Sequence, residues 1–371
     1  MNHRDLALAA MRREPVDHIP FIGRMDLWYG YHHNRGTLPA PYENAELWDI
    51  QRDLGIGIFG FGVWDVSFFR LDYPGTRRYS DGNTLVTEYE TPHGTLVCRD
   101  RMAEELSEAA GAGARIEYPF KTERDYDALQ YLVDNTRVVE NFDTYAKFVD
   151  SIGADGVALP FAGHLPAHQL MLHFMGYEGF YYQLFENESR VEAVINSLGS
   201  QYEQILRLAA RCPAQAIEVG GNYDEQMTPP PVFDRHFAPL YRRAREVLSP
   251  AGKIMVIHGD GEMSVLLEKI MQCGVDVVEA LTPAPMTSID IRRTRELWDG
   301  RVAMWGGLPS VMLTSMFSEQ EFETLLEDLF RAVAPGIGFI LGFGDNVPTD
   351  ALFPRVKRVA QFWAENGKCP A

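Results

Sequence analysis

The chain has 371 residues, 46% of them hydrophobic and 23% charged, which is enough for a large buried core in an ordinary globular protein. Its 52 acidic against 34 basic residues leave a formal net charge of −18. That balance disfavours nucleic acid or anionic membrane as a partner and favours solubility, or docking to a basic patch on another protein.

The opening Met1-Asn-His-Arg-Asp lacks the basic-then-apolar pattern of a secretory signal. No run approaches the ~18 apolar residues of a membrane helix. Cys98, Cys212, Cys273 and Cys369 show neither C-x-x-C spacing nor the density of a disulfide framework. The expectation is a reducing, cytoplasmic location with thiols buried as small apolar filler.

In chain order, eight short apolar runs recur: His18–Gly23, Gly55–Gly60, Asp155–Pro160, Gln215–Gly220, Lys253–His258, Val275–Ala280, Arg301–Gly306 and Gly336–Gly342. They are continuous rather than alternating, as parallel strands buried on both faces require. Helical patterns lie between most of them. Ser264–Cys273 carries Val265, Leu266, Leu267, Ile270 and Met271 at helical spacing. Ser318–Val333 does the same with Phe322, Leu325, Leu326, Leu329 and Phe330, and Ser318 with Glu321 forms a capping box. Eight strands alternating with helices predict an α/β fold, a closed (β/α)8 barrel on the TIM plan, with residues 1–371 as a single domain. One stretch breaks the rhythm. Arg78–Met102 alternates, with Gly82-Asn83 and His93-Gly94 at turn positions, and predicts an antiparallel hairpin inserted beside the barrel mouth.

In such a barrel the chemistry sits at the C-terminal strand ends. Those ends carry His258-Gly-Asp260-Gly, Glu279, Asp345-Asn-Val-Pro348, and Glu218 followed by Asn222-Tyr223-Asp224. Histidine and carboxylates converging at one mouth suit a divalent metal, zinc above all. His258 and Asp260, two apart, can project to one side, with Glu279 and Asp345 as further ligands. Each has a plainer reading: a hydrogen-bonded strand-end pair for His258 and Asp260, an ion-paired terminus for Glu279, an Asx-turn for Asp345. Glu218 and Asp224 are candidate acids or orienting groups. Aromatics make up 12% of the chain; Trp28, Trp64 and His164 are the best placed to line a pocket, with Asn222, Tyr223 and Arg24 beside them.

Several segments resemble the uroporphyrinogen decarboxylase superfamily over nearly the whole chain. They are Arg12-Arg-Glu-Pro-Val-Asp-His-Ile-Pro20, Glu90-Thr-Pro-His-Gly-Thr-Leu96, Gly252 through His258-Gly-Asp-Gly261, Gly274-Val-Asp-Val-Val-Glu279 and Gly344-Asp-Asn-Val-Pro348, in the family's order. The decarboxylases proper carry an arginine-rich segment after the first strand and a Gly-His-Gly near the last. Here these read Gly23-Arg-Met-Asp-Leu-Trp28 and Gly342-Phe-Gly344, so a tetrapyrrole with eight carboxylates would meet too few cations. The resemblance therefore points to the methyltransferase-like branch, relatives of the corrinoid and coenzyme M methyltransferases. That branch binds zinc through His-x-Cys and a later Cys, with a Glu between them in cobalamin-independent methionine synthase. Those positions fall on His258, Asp260, Asp345 and Glu279, so both thiolates are replaced by carboxylates.

That departure argues against thiol activation and suits an oxygen-bearing substrate. The resemblance then implies transfer of a methyl group from a small oxygenated substrate, such as an aromatic methyl ether, to a corrinoid protein. Two other readings stay open: a metal-free decarboxylase or lyase using Arg24 as carboxylate anchor, and a non-catalytic ligand-binding member. A homodimer is expected by resemblance only.

Overall fold

The computed structural model describes residues 1–61, 66–102 and 113–369. Its strands are β1 (Ile58–Gly60), β2 (Phe69–Asp72), β3 (Thr76–Asp81), β4 (Thr84–Thr91), β5 (Gly94–Met102), β6 (Gly113–Glu117), β7 (Arg137–Glu140), β8 (Gly156–Ala158), β9 (Ala216–Gly221), β10 (Ile254–His258), β11 (Val277–Leu281), β12 (Ala303–Leu308) and β13 (Phe339–Phe343). The fold is α/β. β9 to β13 form one parallel sheet in sequence order, and β1 pairs with β8 in a second parallel sheet. Isolated parallel bridges join them: Phe21 with Leu341 of β13, Ile22 with Gly57 ahead of β1, and Phe161 beyond β8 with Glu218 of β9.

Both faces of these strands are buried, which explains the continuous apolar runs. In β10, Ile254 and Val256 belong to one cluster with Phe59, Val157, Val277 and Trp305, whereas Met255 and Ile257 join the larger cluster under the helices. Helix His3–Met11 adds Leu6 to Met11 to the first cluster and packs against β8, β12 and β13. Side chains alternate along a strand, so residues of the same parity share a face. Ala216 leads to Glu218, Val256 to His258 and Val277 to Glu279. The three polar residues thus continue the inner face where the apolar side chains stop.

Helix Glu319–Val333 begins at the expected capping box, Ser318 with Glu321, and buries Phe322, Leu326 and Leu329. The inserted region is larger than Arg78–Met102. β3-β4-β5-β6 make a four-stranded antiparallel sheet, with the two-residue turn Gly82-Asn83 as expected, and β2 pairs with β7. Its base docks on the segment after β8: Arg115 donates to the His173 carbonyl at 2.8 Å and the Phe120 N–H to that of Phe174 at 3.0 Å.

Candidate metal centre

His258 closes β10 in register with Glu279 of β11 and Gly221 of β9. From that register the His258 Nδ1–H donates to Glu279 Oε2 at 2.6 Å, leaving Nε2 to face the space beyond the strand ends. Gly221, at φ +114°, makes this possible: a Cβ there would stand 2.4 Å from the His258 carbonyl oxygen. The chain then turns through Gly259, placing Asp260 Oδ1 3.5 Å from Nε2. Asp345 follows β13 in the left-handed region at φ +62°, and its Oδ1 lies 3.8 Å from the same nitrogen. Ligand atoms of His258, Asp260 and Asp345 all lie within 4.8 Å of one another.

Arg24 braces the opposite side. It donates to Asp345 Oδ1 at 2.8 Å and to both oxygens of Asp26 at 3.2 and 3.3 Å, while Asn346 donates to Asp26 at 3.0 Å. Phe61 lies between, its ring 5.3 Å from the Arg24 guanidinium and stacked 5.8 Å from the His258 imidazole.

Burial opposes a charge on His258, but Glu279 and Asp260 outweigh it and hold the imidazole well above its ordinary value. Burial would raise Asp260 as well; the neighbouring His258 imidazole brings it below the usual range. Glu279 is pushed up by burial, against the pull of His258. Glu218 is almost completely buried on the same inner face and its Oε2 has no hydrogen-bond partner among the described residues. Burial raises its carboxyl well above the usual range; His258 opposes this, and Glu279 adds to it. That environment favours its protonated form.

These residues fit a divalent ion. Among the described residues, the carboxylates Asp26, Asp260, Glu279 and Asp345 pair with only Arg24 and His258 as cations. Asp260 Oδ1 is buried and lacks a hydrogen-bond partner among the described residues. Ligands at ~2.0–2.1 Å around a tetrahedral ion stand about 3.3 Å apart, a few tenths of an ångström below the 3.5 and 3.8 Å that separate His258 Nε2 from Asp260 and Asp345. Glu279 differs from its expected role as a ligand. It is absent from the converging trio and grips the other ring nitrogen, fixing the tautomer as a carboxylate behind a metal-bound histidine does. Asp345 is engaged by Arg24 instead of closing an Asx-turn on its own backbone.

The remaining candidates are placed as follows. Asp224 caps its own turn, accepting from the N–H groups of Gln226 at 2.9 Å and Met227 at 3.3 Å, and is not in the trio. Asn222 is exposed, at φ +64°, and contributes its backbone N–H to the His258 carbonyl at 2.9 Å. Trp28 and Tyr223 are core residues: Trp28 stacks on Phe353, and Tyr223 shares a 2.5 Å hydrogen bond with Tyr241. His164 lies on the loop after β8, edge-on to Phe161. Trp64 lies outside the described residues. The brace formed by Asp26 and Asn346 was not foreseen. Its one sequence signal is the spacing of Asp26, two residues beyond Arg24.

The family described as Uroporphyrinogen decarboxylase (URO-D) matches residues 91–365. No curated protein sequence matches the chain. Among solved structures, a methyltransferase from Methanosarcina mazei superposes with a TM-score of 0.59 over 98% of this chain and 99% of its own, at 11% identity. That likeness concerns the fold alone.

Proposed function

The chain belongs to the uroporphyrinogen decarboxylase family, and on that premise we propose that it is a metal-dependent methyltransferase. It moves a methyl group from a small oxygenated substrate to a corrinoid protein. The observation that carries this reading is the convergence of His258, Asp260 and Asp345 at one strand-end cluster, with Glu279 locking the far nitrogen of the histidine. The superposed methyltransferase supports the fold that carries this cluster. The bridges from Phe21, Ile22 and Phe161 support a closed (β/α)8 barrel as one domain, with the cluster at its mouth.

A divalent cation held there, zinc by the mixed nitrogen and oxygen donors, supplies Lewis acidity to the substrate oxygen. The chain's own residues do the rest. Glu279 orients His258, and Arg24 with Asp26 fixes Asp345. Glu218, kept protonated by burial, gives its proton to the departing oxygen; Asp224, spent on its turn, is less suited. The methyl–oxygen bond would break with its electron pair staying on oxygen; a reduced corrinoid acceptor, when bound, would supply the electron pair that takes up the methyl, and the Glu218 proton would neutralise the alkoxide or phenolate. Charge on that oxygen develops only in the transition state, so relieving it accelerates the step.

A metal-free decarboxylase or lyase is the weaker reading. Its carboxylate anchor would be Arg24, whose guanidinium is already committed to Asp26 and Asp345. Elemental analysis of protein purified without chelator or a metal-binding tag separates the two. About one zinc or similar ion per chain is expected, and it should be lost in His258→Ala and in Asp345→Ala. No stoichiometric metal even after zinc addition would sink the metal-dependent reading.

A further inference from the structure

A cleft of about 870 Å³ opens between helix Ile291–Trp298, which follows β11, and helix Glu319–Val333, which follows β12. It is distinct from the metal centre: none of His258, Asp260, Glu279 and Asp345 lines it. Its volume is in the usual range for small-molecule sites. Pro283, Ile289, Pro309, Met312, Phe317 and Leu325 give it apolar surface, the first four of them buried.

The charges on its walls are unevenly engaged. Each carboxylate that lines it already has a donor. Asp290 accepts from the Arg293 N–H at 2.8 Å, Glu321 from the Ser318 N–H and hydroxyl at 2.7 Å each, and Asp328 from Arg331 at 2.9 Å. The two guanidinium groups, those of Arg292 and Arg293, are exposed and have neither ion pair nor hydrogen bond among the described residues. Arg295 on the same helix is alike: burial lowers it and no carboxylate offsets the loss. Because Asp290 caps the helix end, an anion in the cleft would meet the arginine side chains and not bare backbone N–H groups.

A chain with 52 acidic against 34 basic residues has carboxylates to spare. Elsewhere Arg235, Arg243 and Arg355 each hold one. Two unpaired forks beside apolar surface are complementary to an organic acid. The planar guanidinium takes a carboxylate in two parallel hydrogen bonds, and the apolar body leaves water for the wall of the cleft.

We infer that this cleft binds a small organic acid, an apolar body bearing one carboxylate, with Arg292 and Arg293 holding the carboxylate. Its occupancy requires neither a bound metal nor the methyl-transfer reading.

The test is calorimetric titration of chelator-treated, full-length protein with 4-phenylbutanoate, 4-phenylbutan-1-ol and acetate, so that no bound metal competes for the acid. The wild type is expected to bind 4-phenylbutanoate at least about tenfold tighter than the alcohol, the worth of a charge-assisted hydrogen bond. It should also exceed acetate at least about tenfold, through burial of the ring. Arg292→Gln combined with Arg293→Gln should erase the preference for acid over alcohol and leave the alcohol's affinity unchanged. Thr324→Trp sets an indole into the cleft from an exposed helical position and should weaken acid and alcohol alike. No binding of the acid, equal binding of acid and alcohol, or an acid bound no tighter than acetate would overturn the site. So would a preference that survives in the arginine variant, which would place the acid on another cation such as Arg24, or acid binding untouched by Thr324→Trp.

Discussion

Glu218 carries the sharpest prediction at the scale of single residues. Its carboxyl is buried on the inner face, its Oε2 lacks a hydrogen-bond partner among the described residues, and burial raises it well above the usual range. Unfolded, the same group loses its proton near pH 4.3. Above that pH the folded chain binds a proton that the unfolded chain does not, so stability falls as pH rises until the folded group also ionises. Glu218→Gln has no proton to lose. In chelator-treated protein, urea denaturation at pH 5 and pH 8 should show the variant gaining on the wild type at the higher pH. Methyl transfer should meanwhile drop by roughly 100-fold or more, the usual share of a general acid. Parallel pH dependence of the two proteins would refute a protonated Glu218. The strand-end cluster was legible because His258, Asp260, Glu279 and Asp345 are chemically unusual where apolar runs stop. The division of labour among them was not. Which nitrogen Glu279 grips depends on the register of β10 with β11, and strand register is written in three dimensions. Trp28 and Tyr223 misled for a related reason: an aromatic side chain looks alike in sequence whether it faces a cavity or a helix.

At the scale of elements, the eight apolar runs foretold parallel strands because both of their faces are covered, and all eight enter parallel pairing. The alternating stretch Arg78–Met102 foretold its hairpins. β6 and the β2–β7 pair escaped, being five residues or fewer each and, for the pair, more than sixty residues apart in sequence. The tightest element-level constraint is where β9 meets β10. Gly221→Ala would force a side chain into a positive-φ position and within 2.4 Å of the His258 carbonyl oxygen. It should cost about 2–4 kcal/mol of stability, as strain combined with a backbone clash does. Zinc retention should fall with it, because His258 would be displaced. Gly199 is the control. It sits inside helix Glu188–Arg211 with no atom within 4 Å of a built Cβ, so Gly199→Ala should stabilise by about 0.5–1 kcal/mol. Denaturation of both variants that showed equal and small effects would mean the β9–β10 junction is looser than described.

At the scale of the whole molecule, the net charge of −18 and the carboxylate excess at the centre point the same way. Folding brings Asp26, Asp260, Glu279 and Asp345 together against two cations, and an unfolded chain with those groups dispersed does not suffer that repulsion. A divalent ion that binds only the folded form stabilises it by mass action, about 2.7 kcal/mol at a free concentration 100 times its Kd. For a chain of this length, with an unfolding entropy of about 2 cal/mol/K per residue, that is an upward shift of the melting midpoint of roughly 4 °C. The shift should grow with the logarithm of zinc concentration and vanish in His258→Ala. It should also weaken as pH falls. His258 is held well above its ordinary value by Glu279 and Asp260, and the ion must displace the proton on Nε2 before it can bind. Differential scanning calorimetry across a zinc series at pH 8 and pH 6 reads all three effects at once. A midpoint indifferent to zinc at pH 8, or one raised equally in His258→Ala, would place any bound ion away from the strand ends and leave the carboxylate cluster to some other cation, such as a substrate ammonium.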